Sequence, residues 1–511
     1  MTQDGKVPTE AARVEIGKTI STGIPGLDQI LPGGLPKDRV YLVEGHPGTG
    51  KTTMALQFLL AGAARHEAGL YVTLSESRRE LEAVSRSHGW SLEGLEIFEL
   101  TPSEAGLNAD DQYTFFHPEE VELERTVQTI LEIVQRVRPK RLVLDSLAEL
   151  RLLAREPTHY RKQALAFKQY FDGKECTVLL LDDRTSEATE KQLHSIVHGV
   201  ILLDRMSRSY GKNRRHLEIA KLRGAVFAEG YHDYQIRTGG LTVFPRLIAA
   251  MHQSEFPREH VSSGIAELDQ LLGGGLDRGS STLLIGPAGC GKSTLASRYA
   301  LCAVERQERV VIYSFDEGNA SLLARCRGLG MNLEEHIKSG AIVLEQIDPA
   351  ELAPGEFAAS VCDGVVRRQA RMVIIDSLNG YLNAMPEEHF LTLQMHELLT
   401  FLNQQGVVTL LVLAQHGMLG TMQSPVDLSY LADTIMMLRF FEAYGEVRRA
   451  VSVMKRRSSA HERTIRELEI GGPRGLRVGE ALRNFRGVLT GVPEYIGGTQ
   501  FSAGSVNDLD R

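Results

Sequence analysis

Two short loops with the same glycine spacing stand out in this chain, one beginning at Gly45 and the other at Gly286. Both fit the pattern GxxxxGK[ST], in which backbone N–H groups surround a phosphate chain and the glycines allow its close approach. The lysine reaches the β- and γ-phosphates, and the hydroxyl that follows it holds Mg²⁺. The residues predicted to bind a nucleoside triphosphate are Gly45, Gly48, Thr49, Gly50, Lys51, Thr52 and Thr53 in the first loop, and Gly286, Gly289, Cys290, Gly291, Lys292, Ser293 and Thr294 in the second.

An aspartate ends a buried, apolar strand after each loop. Asp145 follows Arg-Leu-Val-Leu, Asp376 follows Met-Val-Ile-Ile, and each is followed by Ser-Leu. An acid at the carboxyl end of such a strand is the type of side chain that holds Mg²⁺ together with the loop hydroxyl. We therefore predict two metal sites, Thr52 with Asp145 and Ser293 with Asp376, with a strand-end cap as the alternative.

Hydrolysis also needs a carboxylate that orients or deprotonates the attacking water. The strand after the loop helix ends in Ser75-Glu76 in the first half and in Asp316-Glu317 in the second. Glu76 and Glu317 are the predicted bases, with Asp316 beside the second. Acids of a surface loop would be the alternative interpretation.

Each half also carries Lys-x-Arg after a hydrophobic strand, Lys221 with Arg223 and Lys455 with Arg457. Cations supplied by a neighbouring subunit can stabilise charge on the transferring phosphate. That role would require a ring of subunits, whereas an ordinary surface pair within one chain would not.

The elements that must position these residues alternate between strand and helix. Apolar runs such as Val40–Glu44 read as buried strands, and the helix from Lys51 to about Ala64 follows the first loop. Continuous apolar strands between amphipathic helices predict an α/β fold with a mostly parallel sheet covered on both faces.

The two halves are copies of one another. STGIPGLD from Ser21 matches SSGIAELD from Ser262, without a gap up to each loop. A repeat of this length means duplicated domains, since solenoid repeats run about 20–50 residues. The predicted organisation is a flexible N-terminus (1–14), a first ATPase domain (15–247), a linker (248–261), a second domain (262–492) and a flexible tail (493–511).

Composition restricts the class of protein. The 511 residues suit two domains, and the net charge of −8 argues against a nucleic-acid-binding machine, which usually carries a basic surplus. No apolar run approaches a membrane span, so no membrane association is expected. The five cysteines form no CxxC pair, and a reducing cytoplasm is the expected location.

Together these motifs resemble the KaiC family, the double-domain ATPases and autokinases of the cyanobacterial clock. The resemblance covers about residues 15–492, and it includes the lead-in before each loop, both loops, the LDS and IDS strands, both KxR motifs and the run ALRNF ending at Phe485. It implies two tandem RecA-like P-loop domains, ATP and Mg²⁺ as ligands, and a homo-hexamer with ATP bound between subunits. It further implies a first ring that is mainly an ATPase and a second ring that transfers phosphate to hydroxyls across the subunit interface.

Several positions depart from the family pattern. The acceptor pair Ser-Thr is Ser429-Tyr430 here, so Ser429 is the predicted phosphoacceptor, and Tyr430 replaces a threonine by a bulkier phenol. The paired glutamates of the family are Ser75-Glu76 and Asp316-Glu317. The resemblance suggests a KaiB-like partner, whereas the tail carries no motif for a KaiA-like one.

Three functions are weighed. The first is a hexameric ATPase and serine autokinase that acts as a signalling or clock-type switch. The second is an ATP-driven assembly scaffold without autokinase activity. The third is a DNA-acting ATPase of the RecA or DnaB type, against which the acidic balance and the tandem duplication both count.

Overall fold

Each half of the chain folds around a sheet whose central strands are parallel. The structure is a computed structural model, and it describes residues 19–100, 118–154, 157–184, 193–207, 210–383, 391–415, 430–471, 475–489 and 492–496. The predicted flexible N-terminus, most of the predicted tail and the predicted phosphoacceptor Ser429 lie outside these residues. Chain contacts divide the molecule into two units, residues 1–246 and 247–511.

The elements of the first domain alternate as the sequence predicts. Its strands in chain order are β1 (Thr19–Ile20), β2 (Leu35–Pro36), β3 (Val40–Gly45), β4 (Gly69–Thr73), β5 (Leu95–Glu99), β6 (Arg141–Asp145), β7 (Thr177–Asp183), β8 (Gly199–Met206), β9 (Arg214–Leu222), β10 (His232–Arg237) and β11 (Gly240–Phe244). Its helices include α1 (Leu27–Ile30), α2 (Lys51–Ala63), α3 (Arg78–Ser87), α4 (Pro118–Val137), α5 (Leu147–Leu153) and α6 (Pro157–Phe171).

The large sheet of this domain has, among the described residues, nine strands in the order β11-β10-β9-β8-β3-β7-β6-β4-β5. The six strands from β8 to β5 are parallel, and β9, β10 and β11 extend the sheet in antiparallel fashion. Alternate residues of β3 enter different cores, Tyr41 and Val43 on one face and Val40 and Leu42 on the other. Because both faces are covered, the strands read as continuous apolar runs.

The second domain repeats this plan. Its strands are β12 (His260–Val261), β13 (Leu276–Asp277), β14 (Ser281–Gly286), β15 (Arg309–Ser314), β16 (Ile342–Gln346), β17 (Ala370–Asp376), β18 (Val408–Ala414), β19 (Thr434–Ala443), β20 (Glu446–Arg456), β21 (Arg466–Ile470), β22 (Leu476–Ala481), β23 (Phe485–Arg486) and β24 (Glu494–Tyr495). Its α-helices include α7 (Ala266–Leu271), α8 (Lys292–Glu305), α9 (Asn319–Gly328), α10 (Leu333–Lys338), α11 (Pro354–Val366), α12 (Leu378–Asn383) and α13 (Leu391–Gln404).

Its large sheet has the order β16-β15-β17-β18-β14-β19-β20-β21-β22 within the described residues. Read from the other edge, this is the order of the first sheet, with the loop strand β14 in the place of β3. The predicted α/β class with mostly parallel sheets is therefore confirmed. Ala249, in the predicted linker, is buried in the core of the second unit, and β24, in the predicted tail, pairs with β23. No helix in the described ranges is both long and apolar enough to cross a membrane.

Candidate functional site: two phosphate loops and their surroundings

The first loop joins the carboxyl end of β3 to the start of α2. Gly50 has a φ of 100°, in the left-handed region, and a Cβ at this residue would lie 2.4 Å from Ile236 Cδ1 of the antiparallel extension. Only glycine therefore fits this turn. Lys51 Nζ donates to the carbonyl of Gly45 at 2.8 Å and lies 2.6 Å from Asp183 Oδ1 at the end of β7. These two contacts fix the Lys51 side chain beside the loop whose bound phosphates it is predicted to contact.

The predicted metal ligands and base of the first site lie together. Thr52 Oγ1 is 3.4 Å from both Asp145 Oδ2 and Glu76 Oε1, and the phenol of Tyr71 donates to Asp145. A cavity of about 390 Å³ is lined by Thr52, Asp145 and Glu76, together with Lys51 and Ser75. Tyr71 does not line it. The structure therefore brings the predicted Thr52, Asp145 and Glu76 to one place.

The electrostatics of this cavity suit a cation. Burial raises the pKa of Asp145, and burial together with the charge of Asp145 raises the pKa of Glu76. Glu76 Oε2 is buried and has no hydrogen-bond partner among the described residues. Carboxylate and hydroxyl oxygens, such as those of Asp145 and Thr52, are ligands that Mg²⁺ prefers, so the residues present fit the metal that the motifs predict.

The second loop has the same backbone plan. Gly291 has a φ of 104°, and a Cβ there would lie 2.1 Å from Ile470 Cδ1, the counterpart of Ile236. Lys292 Nζ donates to the carbonyls of Gly286 and Pro287 at 2.8 and 2.7 Å. Cys290 is fully buried and burial raises the pKa of its thiol, which disfavours the reactive thiolate.

The predicted metal pair of the second site also meets. Asp376 accepts a hydrogen bond from Ser293, and burial raises the pKa of this carboxyl. A cis peptide bond follows the aspartate in both domains, at Asp145–Ser146 and at Asp376–Ser377. Asp145 lies beside Thr73 at the end of β4, and Asp376 lies beside Ser314 at the end of β15, so the two strand-end aspartates occupy equivalent places, as their sequence context predicts.

The predicted bases differ in their surroundings. Glu317 accepts two hydrogen bonds from Arg325, from Nε at 3.3 Å and from Nη2 at 2.8 Å. Asp316, its neighbour, accepts a hydrogen bond from the Ser377 hydroxyl. The residue that corresponds to Arg325 in the first domain is Val84, and no guanidinium pairs with Glu76 among the described residues.

The KxR motifs lie at the end of each sheet that is opposite to the loop. Lys221 pairs across strands with Val200, which lies beside Leu42, and Lys455 pairs with Ile435, which lies beside Leu283. Leu42 and Leu283 each precede the first glycine of a loop by three residues, about 10 Å of strand. These lysines are therefore not brought to the phosphate loop of their own domain.

Their side chains are held by nearby backbone carbonyls. Lys221 donates to His194 and to Val197, the latter at 2.9 Å, and Arg223 donates to Ser195 at 2.8 Å. In the second domain Lys455 donates to Ala432 at 2.9 Å.

Arg457 connects the second KxR motif to the predicted phosphoacceptor segment. Its guanidinium contacts the Asp433 carboxylate at 3.4 Å and the Tyr430 carbonyl at 2.5 Å. Tyr430 itself is 54% exposed. This contact joins the KxR motif to the residue that follows Ser429 in the chain.

A cluster of buried charges underlies the first loop. Glu44 and Asp182 lie side by side on β3 and β7, each 1% exposed. Arg151 pairs with Asp182 and stacks over the ring of Tyr160, while His194 Nε2 is 2.8 Å from Glu44 Oε2. Burial, with the adjacent charge of Glu44, raises the pKa of Asp182 to about 7. The corresponding residues of the second domain are apolar, namely Ile285, Leu413 and Leu382 for Glu44, Asp182 and Arg151.

Three side chains of these sites were missed by the sequence patterns. Asp183 ends a buried strand just as Asp145 does, so the same rule could have found it. Tyr71 and Arg325 carry no motif. Aligning the two halves residue by residue would have drawn attention to them, because Ile312 and Val84 stand in their places.

Comparison with known proteins agrees with this architecture. A family model described as the KaiC ATPase matches residues 20–248 and again 261–483. The circadian clock oscillator protein KaiC of Acaryochloris marina is 26% identical over 98% of this chain and 94% of its own length. Circadian clock protein KaiC3 of a Synechocystis strain is 27% identical over 93% and 94%, and KaiC of Synechococcus elongatus is 27% identical over 93% and 92%. The expected resemblance is confirmed, and this chain, with two tandem RecA-like ATPase domains, belongs to the KaiC family.

Proposed function

We propose that the protein is a homo-hexameric Mg²⁺-dependent ATPase that also phosphorylates Ser429 across its subunit interface, as a signalling or clock-type switch. The observation that carries the proposal is the position of the two KxR motifs, which lie about 10 Å or more of strand away from the loop of their own domain. Cations so far from the loop of their own domain suit the loop of another subunit. A KaiB-like partner and a cytoplasmic location belong to the same proposal.

In the first domain the proposed chemistry is hydrolysis. Lys51 and the loop amides bind the phosphates, and Thr52 and Asp145 are the proposed metal ligands. Bound Mg²⁺ would neutralise charge that develops on the phosphate oxygens. Glu76 orients the attacking water and accepts its proton, for which its raised pKa and its unpartnered Oε2 suit it.

In the second domain the proposed acceptor is Ser429. The neighbouring Tyr430 carbonyl is bound by Arg457, at the end of the sheet opposite to Ser293 and Asp376. Because Tyr430 lies at that end, the loop of an adjoining subunit is the proposed source of the phosphate. The phenol oxygen of Tyr430 lies several Å farther from the backbone than a threonine hydroxyl, so a single phosphorylated residue is proposed.

One observation favours the alternative, an ATP-driven assembly without autokinase activity. Both predicted bases of the second domain are engaged within the chain, Glu317 by Arg325 and Asp316 by Ser377. Phosphopeptide mass spectrometry after incubation with Mg-ATP separates the two functions. Phosphate on Ser429 that is lost in Ser429→Ala and in Lys292→Ala supports the autokinase, and hydrolysis without any phosphopeptide supports the alternative.

The cross-subunit arrangement is tested by mixing two inactive variants. Lys51→Ala lacks a working first loop, and Arg223→Ala lacks the proposed cation, so each homomeric ring is expected to lose first-domain hydrolysis. Mixed rings would regain part of it, because the intact loop of one chain meets the intact arginine of the other. Lys51→Ala mixed with Asp145→Ala, two defects of the same loop site, is the matched control and should stay inactive. Failure of the first mixture, with mixed rings verified by mass, would contradict the proposal.

A further inference from the structure

We propose that Arg325 is a positioning residue that keeps Glu317 from acting as a hydrolytic base, so that the second domain retains its ATP. This inference deepens the proposed function and rests on it, because retained ATP is what a phosphate transfer to Ser429 needs. The residue has no counterpart in the first domain, where Val84 occupies the equivalent position.

The contact between Arg325 and Glu317 is of the strongest type that the two groups can form. Two N–H groups of the guanidinium meet the carboxylate, at 3.3 and 2.8 Å. Such bidentate, charge-assisted pairs are roughly twice as strong as neutral hydrogen bonds. Both side chains are about 30% exposed or less, so water screens the pair only in part.

Arg325 is also tied to the phosphate loop itself. Its Nη1 donates to Thr294 Oγ1 at 3.1 Å, one residue after Ser293, and the side chain lines a cavity of about 600 Å³ together with Gly291 and Lys292. The guanidinium therefore bridges the predicted base and the first turn of α8. A nucleotide bound there would meet Arg325 as one more cation near its phosphates.

Among the described residues, no guanidinium pairs with Glu76, the first-domain counterpart of Glu317. Glu76 Oε1 lies 3.4 Å from Thr52 Oγ1, and Oε2 has no partner among the described residues. Val84, in place of the arginine, lines the cavity of the first site. The first domain thus leaves an oxygen of Glu76 open to water, whereas in the second domain Arg325 donates to both oxygens of Glu317.

The chemical consequence follows from what a hydrolytic base must do to water. In hydrolysis the water oxygen bonds to the γ-phosphorus, the bond from that phosphorus to the bridging β–γ oxygen breaks, and the water proton passes to a base. The base must therefore accept a hydrogen bond from the attacking water. Both oxygens of Glu317 already accept hydrogen bonds from Arg325, so the guanidinium competes with water for this carboxylate.

The test is a reciprocal exchange of the two residues. Arg325→Val is made in a Glu76→Gln background, so that hydrolysis reports the second domain. Val84→Arg is made in a Glu317→Gln background, so that it reports the first. Because the backgrounds change only the bases, both loops still bind ATP. We expect Arg325→Val to raise hydrolysis about tenfold and to shift the bound nucleotide from ATP towards ADP, and Val84→Arg to lower hydrolysis about tenfold.

Two further variants separate positioning from a merely structural role. Arg325→Lys keeps the charge but not the two-pronged contact, and it should give an intermediate rise with nucleotide binding retained. Adding Glu317→Gln to Arg325→Val should abolish the gain, since the gain depends on the released glutamate. If neither Arg325 variant hydrolyses ATP faster, whether or not it binds nucleotide less well, the proposal is overturned.

This outcome is distinguishable from a failure of the proposed function. Absence of phosphate on Ser429 in the unaltered protein would remove the autokinase. The contrast in hydrolysis between Arg325→Val and Val84→Arg does not depend on that measurement.

Discussion

The two nucleotide sites of this chain are alike where they would touch phosphate and unlike one layer farther out. Both have a left-handed glycine before the lysine, an isoleucine packed against that glycine, and a hydroxyl beside a strand-end aspartate. The surrounding residues differ. Val84, Tyr71 and Asp183 of the first domain occupy the positions of Arg325, Ile312 and Ala414 in the second. Under the proposed function, the shared inner residues bind nucleotide in both domains, and the neighbouring residues that differ set how fast each domain hydrolyses it.

The largest expected effect comes from removing each base. Glu76→Gln should lower first-domain hydrolysis about 100-fold or more, within the range that a general base contributes. Glu317→Gln should change total hydrolysis by less than about threefold, because Arg325 already withholds that carboxylate. Steady-state phosphate release by the two variants, compared with the unaltered protein, measures both. Equal losses would mean that the two sites are catalytically equivalent.

The buried charges under the first loop offer a second contrast. Arg151→Ala removes the guanidinium that pairs with Asp182 and leaves this carboxyl group buried beside Glu44, which should destabilise the first domain by about 3 kcal/mol. Urea unfolding followed by the fluorescence of Trp90, the single tryptophan of the chain, reports this domain.

The matched control copies the second domain. Replacing the three charged residues together, Glu44→Ile, Asp182→Leu and Arg151→Leu, should restore most of the lost stability, because apolar packing can replace a buried ion pair. A triple variant as unstable as Arg151→Ala would show that the cluster is not exchangeable with the apolar one.

The same cluster should make the first domain sensitive to pH. The pKa of Asp182 is raised from 3.8 to about 7, so the folded protein binds this proton more tightly than the unfolded chain does. Its stabilising contribution is complete below about pH 4 and is lost as the pH rises through 7, by at most about 1.4 kcal/mol per pH unit. Asp182→Asn should remove this slope from the Trp90 unfolding curves. An unchanged slope would show that the pH dependence does not come from Asp182.

The smallest effect is expected at Tyr71, whose phenol donates to Asp145 in the first site only. Tyr71→Phe removes a hydrogen bond to a charged group, and the Mg²⁺ concentration for half-maximal hydrolysis should rise about fivefold. Ile312→Phe at the equivalent place in the second site is the control and should leave that concentration unchanged. No shift in Tyr71→Phe would mean that Thr52 and neighbouring backbone suffice to orient Asp145.

Much of this arrangement could be predicted from the sequence because it depends on local order. The loop pattern fixes the backbone around Lys51 and Lys292, and an acid that ends an apolar strand identifies Asp145 and Asp376. In each case the relevant residues are close in sequence or share one edge of a parallel sheet. The fold class follows from the same alternation of strand and helix.

Other features depend on the order of strands in space or on side-chain direction. That Asp183 meets Lys51 requires β7 to lie beside β3, which the sequence does not specify. The pairing of Glu317 with Arg325 depends on which face of α9 turns towards the loop. The distance of Lys221 from its own loop follows from the antiparallel return of β9, which carries that lysine back along β8.

Each sheet therefore carries the phosphate loop at one end and the KxR motif at the other. On the proposed assembly, subunits join head to tail, through unlike surfaces. In each domain, an open row of chains would leave one loop and one KxR motif unmatched at its ends, and closing the row into a ring completes that last pair. Nucleotide that binds at such junctions should favour the closed ring over any open fragment. Bound nucleotide would therefore favour assemblies with one fixed number of subunits.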